Sequence, residues 1–395
     1  MTYPGAATYP SSSLYPGGSP APITYPPIGT LGSPRWAWAT GAWQALPTGE
    51  LPNATARSLK LRLTGTSDAS FTLDGTTPDA AAIHELVTDV WAVRNGFTLF
   101  RGRVGPTSDS VDGAKHTVQF SAGDYRAVLE RRLLFDADTL TYTSTDAAAV
   151  AAGLIGSTQA HSGGGLNITD SSTPIGVSRT ITYPAGQSIG QAIEQLSLMD
   201  DGWNWDIVPT TGQVGQAFTT WPSRGQNGQR VLAYPGQIAS FTRGVDPGTY
   251  ANAIRETGNT GLAAAIVAAS DITTRPEGRW DVQLGDTSLL DVASVTARAN
   301  YDLASRQQVV PTWAVKLAPG SWGGPTDIWL GDVVLLAVRS GRLEEDGTPL
   351  RVFEIDIDLD DADQETVTLT LAALDPFKRS RARQYDFRLT RLERR

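Results

Sequence analysis

The stretch LRVFEIDIDLDDADQETVTLTL, residues 350 to 371, alternates apolar and polar side chains. A period of two predicts half-buried β-strands, here over Leu350–Leu359 and Glu365–Leu371. Between them, Asp360–Gln364 is short and polar, as is typical of a hairpin loop. We therefore predict an antiparallel hairpin that has one apolar face and one polar face.

The polar face of this hairpin carries a row of carboxylates, which we call the acidic stripe: Glu354, Asp356, Asp358 and Asp360. Calcium loops are similarly rich in carboxylates, but they need a turn with a glycine, from which the oxygens converge on the ion. Here the strict alternation with apolar residues places the carboxylates along one face of a strand, and the run contains no glycine. We predict a solvated or interface-facing stripe and no metal site.

The region from residue 35 to 144 has similar strand signals. Trp36 and Trp38 are spaced by two, and leucines alternate with basic residues in LKLRL at 59–63. The Asn-Gly pair at 95–96, between WAVR and FTLF, predicts a tight two-residue hairpin. Thr-Pro at 77–78 predicts the start of a short helix. Residues 125–134 fit a strand and a short helix equally well.

The region from 145 to 229 mixes helices with strands. Residues 146–155 have a helical composition, and Ser188 with Gln191 forms a capping box before a second helix. The apolar residues of that helix recur at helical spacing: Ile189, Ala192, Ile193 and Leu196. The tryptophans of GWNWDI, residues 202–207, then return to period two. We predict an α+β unit inserted between two β regions.

Strand patterns return from residue 230 to 375. Besides the hairpin described above, predicted strands cover Ile238–Thr242, Trp313–Leu317 and Asp327–Val338. One long helix is expected over Ser288–Ser305. One face of this predicted helix carries Val292, Val295, Ala299 and Leu303. The sequence thus predicts a mainly β protein with an α+β insertion.

The first segment of the chain, residues 1–34, differs from this pattern. It is rich in Gly, Ser, Pro and Ala, and it repeats the dipeptide Tyr-Pro, with the tyrosines at Tyr3, Tyr9, Tyr15 and Tyr25. Such a segment cannot bury enough apolar surface to fold alone and favours an extended path. It is either an idle leader or an arm whose tyrosines dock on a neighbouring subunit, and we favour the arm.

The last segment, residues 376–395, is a basic tail with eight basic and two acidic residues. The net charge of the chain is −9, so the remaining residues carry about −15. One interpretation is a solvated extension. A second is docking on an acidic neighbour through Arg379, Arg381 and Arg383, and a third is contact with DNA.

The composition excludes several classes of function. The chain has no cysteine, so it has no disulfide, thiol nucleophile or thiolate metal site. Its three histidines, His84, His116 and His161, have no partners at a spacing typical of catalysis or metal binding. We therefore predict no catalytic residue, metal or cofactor. The negative charge argues against stable nucleic-acid binding, and no segment is apolar enough for a membrane span.

Four stretches resemble, in their order along the chain, the baseplate hub proteins of long-tailed, siphovirus-type bacteriophages, also called tail-associated or minor tail proteins. They are FTLFRGRVG at 97–105, ITYPAGQSIGQAIEQLSLMDDGWNWDIVP at 181–209, GVDPGTYANAIRETG at 244–258, and PTDIWLGDVVLLAV with LRVFEIDIDL between 325 and 359. Each motif alone is weak, so the resemblance depends on their order.

This resemblance implies a fold and an assembly. Hubs of this family carry two tail-tube-like β barrels per chain and form a trimeric ring with a pseudo-sixfold face that matches the hexameric tail tube. For this chain it implies a first barrel at 35–144, an insertion domain at 145–229 and a second barrel at 230–375. In such a ring, three acidic stripes would face the lumen or an interface, and an acidic lumen would let DNA slide through.

The resemblance also implies a role and partners. The expected role is a structural one at the tail tip of the virion, in a homotrimer that is made in the host cytoplasm and leaves a channel for genome ejection. The expected neighbours are the distal tail protein and other tail-tip proteins, with the tape measure protein or transient DNA in the lumen.

Two other functions stay open at this point. One is a tail-associated peptidoglycan hydrolase, although the scarce histidines, and the absence of a hydrolase segment after the second barrel, argue against it. The other is a host-surface carbohydrate-binding module, for which Trp313, Trp322 and Trp329 could stack on sugars. Tryptophans in strands belong more often to the core. We expect a structural protein and no enzyme.

Overall fold

The computed structural model describes residues 34–135, 139–197, 202–210, 214–258, 260–285, 292–307, 309 and 311–373. The first region of strands is called module 1. Its elements are β1 (Trp36–Ala42), β2 (Gly49–Glu50), β3 (Thr55–Arg62), β4 (Asp68–Asp74), α1 (Pro78–Ala81), β5 (Thr88–Arg94), β6 (Phe97–Asp112) and β7 (Lys115–Asp124). Asn95 and Gly96 both have positive φ and make the predicted tight turn between β5 and β6. Thr77 caps α1, as its sequence predicted.

The insertion follows module 1 and has an apolar core of its own. Its elements are α2 (Tyr125–Glu130), β8 (Leu140–Asp146), α3 (Ala147–Gln159), β9 (Ile168–Asp170), β10 (Ser178–Tyr183), α4 (Ile189–Ser197), β11 (Asn204–Pro209) and β12 (Gln216–Trp221). The ambiguous residues after 125 form a helix because the Asp124 carboxylate accepts hydrogen bonds from the amides of Arg126 and Ala127. The helices predicted at 146–155 and after Ser188 are confirmed as α3 and α4.

The second region of strands is called module 2. Its elements are β13 (Asn227–Tyr234), β14 (Ile238–Gly244), β15 (Ala253–Thr257), β16 (Ala265–Ala268), β17 (Asp281–Gly285), α5 (Val292–Arg306), β18 (Thr312–Leu317), β19 (Val333–Ser340), β20 (Leu343–Leu359) and β21 (Glu365–Ala372). The strands β15, β16 and β17 form a small separate sheet, and α5 packs on it. This small unit lies in the chain between β14 and β18.

One prediction for module 2 is wrong in detail. The strand expected over Asp327–Val338 begins only at Val333, because the Asp332 carboxylate accepts the amide of Trp329 and holds a turn before it. The long helix is confirmed as α5 from Val292 onward. On its apolar face Val295 and Ala299 are buried, whereas Val292 at the helix end is 50% exposed. The part of that predicted helix before Val292 lies outside the described residues.

Modules 1 and 2 share one sheet. Its thirteen strands run in the order β14-β18-β21-β20-β3-β4-β7-β6-β5-β1-β2, with β19 on β20 and β13 on β19. The two modules join where β20 pairs antiparallel with β3, and one continuous apolar core draws residues from both. The protein is therefore mainly β, with a curled, half-barrel sheet. The two regions that we expected to be barrels are continuous within this chain.

The two modules have equivalent topologies. The pairing order of β1, β3, β4, β5, β6 and β7 repeats in β13, β14, β18, β19, β20 and β21. The long strands β6 and β20 each carry a bulge at the same place, after Val104 and after Val352. The first strands differ, since β1 is antiparallel to β5 whereas β13 is parallel to β19. The fold therefore contains an internal duplication.

Candidate functional site

The strand pair β3–β20, where the modules meet, carries the acidic stripe. Leu59 and Leu61 lie opposite Ile357 and Ile355, and all four side chains are buried. Because side chains alternate along a strand, the residues between them lie on the other face of the sheet. On that face the basic residues of LKLRL lie opposite the carboxylates of the stripe. The junction is thus apolar on one face and ionic on the other.

Glu354 is the most enclosed residue of the stripe. Its carboxylate accepts a hydrogen bond from Nε of Arg62 at 2.8 Å and lies 3.6 Å from Nζ of Lys60. The residue is only 8% exposed. Loss of its cationic partners would leave a buried carboxylate uncompensated, which is strongly destabilising. Glu354 therefore acts as a contact between the two modules.

Asp356 is half-buried beside Glu354. Its Oδ2 lies 3.6 Å from Nζ of Lys60, and its Oδ1 is buried without a hydrogen-bond partner in the described part of the chain. Burial, together with the nearby charge of Glu354, raises the pKa of Asp356 to about 6, although Lys60 opposes this shift. The charge of the stripe therefore changes near pH 6.

The other end of the stripe is exposed. Asp358 points to solvent, and Asp360 shapes the hairpin loop because its carboxylate accepts the amides of Ala362 and Gln364. The structure thus places all four residues of the acidic stripe along β20 and the turn after it. Their exposure increases from Glu354, which is buried, to Asp358 and Asp360, which are exposed. The structure also adds the two cations of β3. Because Lys60 and Arg62 alternate with leucines, the sequence predicted that they share a polar face. It did not predict that this face lies opposite the carboxylates of the stripe.

A buried ionic cluster joins module 1 to the insertion. Asp89, on β5, is fully buried and accepts hydrogen bonds from Nε of Arg101 at 3.0 Å and Nε of Arg103 at 3.2 Å. The hydroxyl of Tyr125 donates to the same carboxylate at 2.7 Å. Burial raises the pKa of Tyr125 far above its usual value, so the hydroxyl stays a neutral donor. Arg101 also donates to the carbonyl of Val214, in the insertion.

A second cluster joins the insertion to module 2. Arg126 is buried between Asp124 and Asp206, with Nε at 3.1 Å and 3.6 Å from their carboxylates. Burial alone would raise the pKa of Asp206, but the guanidinium groups of Arg126 and Arg224 outweigh it and lower this pKa. For Asp124 burial dominates, and its pKa is raised. Arg351 of β20 completes the link by donating to the Arg224 carbonyl at 2.6 Å.

Sequence reasoning missed both clusters because their members are far apart in the chain. One signal was available in FRGR, where Arg101 and Arg103 occupy one face of a strand at positions expected to be apolar. Arginines on a buried strand face need acidic partners. The side chains of the two clusters hydrogen-bond one another and nearby backbone carbonyls, so their geometry is that of anchors between parts of the fold.

The histidines do not lie together. Nε2 of His116 is 2.8 Å from a carboxylate oxygen of Asp109 across the β6–β7 hairpin, a pair that the sequence analysis did not find. Within the described ranges, no group of three His, Asp or Glu residues is placed to hold a metal ion. Trp313 and Trp322 are buried in the common core, and Trp329 packs against it. They form no exposed platform of the kind that binds sugars.

Some predicted site residues lie outside the described residues. These are Tyr3, Tyr9, Tyr15, Tyr25, Arg379, Arg381 and Arg383. In the part of the chain that is described, no helix has both the length and the apolar character to cross a membrane.

The architecture is a duplicated β module with an α+β insertion, and several solved structures share it. No protein-family model and no curated protein sequence matches the chain. The 43 kDa tail protein of prophage MuSo2 from Shewanella oneidensis matches with a TM-score of 0.63 and 11% identity, over 86% of this chain and 98% of that one. A tail protein from Neisseria meningitidis MC58 matches with a TM-score of 0.61 and 11% identity, over 87% and 98% of the two chains.

The prophage tail protein gp18 from Listeria monocytogenes EGD-e also matches, with a TM-score of 0.55 and 11% identity, over 86% of this chain and 95% of that one. At these identities the comparison shows a shared fold. The chain has the fold of prophage tail proteins over most of its length. The resemblance that the four sequence motifs indicated is confirmed at this level.

Proposed function

We propose that this protein is a structural component of a phage tail, the hub that joins the hexameric tail tube to a threefold tip. The observation that carries the proposal is the internal duplication of the β module in a chain with the fold of prophage tail proteins. Three such chains supply six equivalent modules, and six units can continue a sixfold tube while the ring itself is threefold. The proposed ring is therefore a homotrimer with a pseudo-sixfold face.

The domains have distinct roles in this proposal. Modules 1 and 2, within the predicted ranges 35–144 and 230–375, form the ring. The insertion, predicted at 145–229 and sharing its core with residues from Tyr125 onward, is held against the ring by the two buried ionic clusters. The ring leaves a channel for genome ejection. The polar face of the β3–β20 junction is assigned to its lumen, where the exposed carboxylates of Asp358 and Asp360 would repel passing DNA.

The proposal also assigns partners and location. The protein lies at the tail tip of the virion and contacts the distal tail protein and other tip proteins, with the tape measure protein or transient DNA in the lumen. Residues 1–34 and the basic tail at 376–395 dock on those neighbours. The role is non-enzymatic, which is supported by the ionic clusters being closed by internal partners.

Imaging of purified tails, together with mass measurement of the protein alone and with its tail neighbours, tests this proposal. The expected result is three copies of the chain in one ring directly below the tail tube. A ring of six identical copies, or one copy in the tail, would contradict the hub. The isolated protein can still be monomeric, because ring closure can depend on the neighbours.

A further inference from the structure

Besides the outer edge at its first strand, each module has one edge at β3 or β14 and another along the C-terminal half of β6 or β20. At the internal junction, the C-terminal part of β20 pairs with β3. The strand of module 1 that is equivalent to β20 is β6, and the strand of module 2 that is equivalent to β3 is β14. Among the described strands, β14 pairs only with β18, and Thr107–Asp112 of β6 pairs only with β7. We propose, on the basis of the hub function, that β6 of one chain pairs antiparallel with β14 of the next and repeats the internal junction between subunits.

The internal junction gives the register of this contact. Counting from the matching bulges, Ile355, Ile357 and Leu359 of β20 correspond to Thr107, Asp109 and Val111 of β6. Counting through the neighbouring strands, Leu59 of β3 corresponds to Arg243 of β14. Since Ile357 faces Leu59 within the chain, Asp109 should face Arg243 of the next subunit. The same count gives the facing pairs Thr107 with Val245, Asp109 with Arg243, and Val111 with Phe241.

The central pair of this register has complementary charges. The Asp109 side chain is 61% exposed at the free part of β6. Arg243 lies with its guanidinium 5.6 Å from the ring centre of Trp313, and its buried Nε has no hydrogen-bond partner among the described residues. A carboxylate from a neighbouring subunit would supply that partner, and hydrogen bonds between charged groups are the stronger kind.

One flanking pair, Val111 with Phe241, is apolar, and the other places the apolar Val245 opposite Thr107. Val111 is 69% exposed and Val245 is 47% exposed. The residues that correspond to them in the internal junction, Leu359 and Leu61, are 5% and 3% exposed. Exposed apolar residues on an unpaired strand favour pairing with another strand. Phe241, which would lie opposite Val111 in the proposed contact, is only half-buried and packs on Trp313.

The occupant of each edge is therefore a second copy of this chain. The contact is head-to-tail, because β6 and β14 are different surfaces, and a head-to-tail contact forms a closed ring when its rotation allows. Three copies close a ring in which three internal and three intermolecular junctions alternate. Pairing of strand edges supplies main-chain hydrogen bonds, and the side-chain pairs specify the register.

Because the natural chain has no cysteine, disulfide formation can test the register directly. Ser110 and Thr242, both exposed, correspond to Asp358 and Ser58, which face each other in the internal junction. We expect S110C/T242C protein, oxidised in assembled tails, to give covalent dimers and trimers on a non-reducing gel. Residues directly opposite on antiparallel strands lie within disulfide range.

Two matched variants serve as controls. D358C/S58C places the same pair in the internal junction and should form a bond within one chain, so it should migrate as a monomer. S110C/S240C shifts the register by two residues, which exceeds disulfide reach, and should give little cross-linking. A ring of three that cross-links only through S110C/S240C, or through neither intermolecular pair, would overturn this strand pairing but leave the hub function intact. A ring other than three would refute the hub itself.

Charge exchange gives a second test of the same pair. D109R should weaken trimer formation on the order of tenfold or more and change the thermal transition of the chain little, because the pair that Asp109 forms with His116 in its own chain is an exposed one. R243D should weaken it similarly, and the D109R/R243D protein should recover trimer formation. Failure of the double variant to recover, with both single variants folded, would show that these residues do not face each other.

Discussion

At the scale of single residues, the module junction contains two neighbouring carboxylates in different states. Glu354 is nearly enclosed and bonded to Arg62, whereas Asp356 shares Lys60 with it and keeps one buried oxygen without a partner. Two cations on β3 therefore compensate the buried end of the stripe incompletely. The result is a carboxyl group at the junction whose pKa lies near 6.

This pKa predicts how pH affects stability. In the unfolded chain Asp356 loses its proton at its ordinary pKa of about 3.8, and in the fold its pKa is about 6. The folded state thus binds more protons between these values, so the contribution of Asp356 to stability is present at low pH and is lost as pH rises towards 6. D356N should be more stable than the natural protein at pH 7.5, by about 1–2 kcal/mol after screening by solvent.

The measurement is the unfolding midpoint of D356N and of the natural protein across pH 4 to 8. Their difference should grow between pH 4 and 6 and then stay constant. The exposed neighbour variant D358N is the control, and it should follow the natural protein more closely. Parallel curves for D356N and the natural protein at all pH values would contradict the assigned shift.

At the scale of elements, the start of module 2 depends on a close crossing of two backbones. Gly225 lies just before β13 and Gly331 just before β19, and both have positive φ. A Cβ atom on Gly331 would lie 2.3 Å from the carbonyl oxygen of Arg224, and one on Gly225 would meet the backbone of Gly331. This crossing places β13 parallel to β19, in contrast to the antiparallel β1 of module 1.

G331A should therefore destabilise the protein by about 2–4 kcal/mol, through the positive φ and the backbone clash together. The matched control is G156A in α3, where a Cβ has open space and alanine favours the helix. That variant should gain about 0.5–1 kcal/mol. Urea unfolding of both proteins measures the two effects. Equal stability of G331A and the natural protein would mean that the crossing relaxes easily.

At the scale of the whole molecule, we propose that assembly depends on segments outside the two modules. Deletion of residues 1–34 should leave the unfolding transition unchanged, because a segment so rich in Gly, Ser, Pro and Ala buries too little apolar surface to contribute to a core. Incorporation of the truncated protein into tails should fall, since its tyrosines would no longer dock on a neighbour. Tail yield and a thermal melt measure the two effects. A lost thermal transition would show that the arm belongs to the fold.

The basic tail gives a separate prediction about assembly. Reversal of Arg379, Arg381 and Arg383 to Glu should impair tail assembly at low salt and barely change the stability of the modules. Exposed ion pairs contribute only about 0.2–1 kcal/mol each and weaken with salt, so the effect should depend on ionic strength. Assembly assays at two salt concentrations measure it. Normal yield with the reversed residues would identify the tail as a solvated extension.

The local signals of the sequence were sufficient for most elements. Alternation predicted the β20–β21 hairpin, Asn95-Gly96 predicted the turn between β5 and β6, and the capping box at Ser188 predicted α4. These signals are local because caps, turns and periodicity act within a few residues. They also predicted which face of β20 is apolar and which carries the acidic stripe.

Only the tertiary structure decided which strands pair and which charges meet. Glu354 and Arg62 bond across 292 positions of sequence, and Asp89 meets Tyr125 across 36. The backbone hydrogen bonds of a sheet are alike for any two strands, so a strand pattern specifies its faces but not its neighbour. The sequence therefore determined two β regions with an insertion. It did not determine that β3 and β20 join those regions into one sheet, or that their free edges are equivalent. Both features depend on long-range packing, which no local pattern encodes.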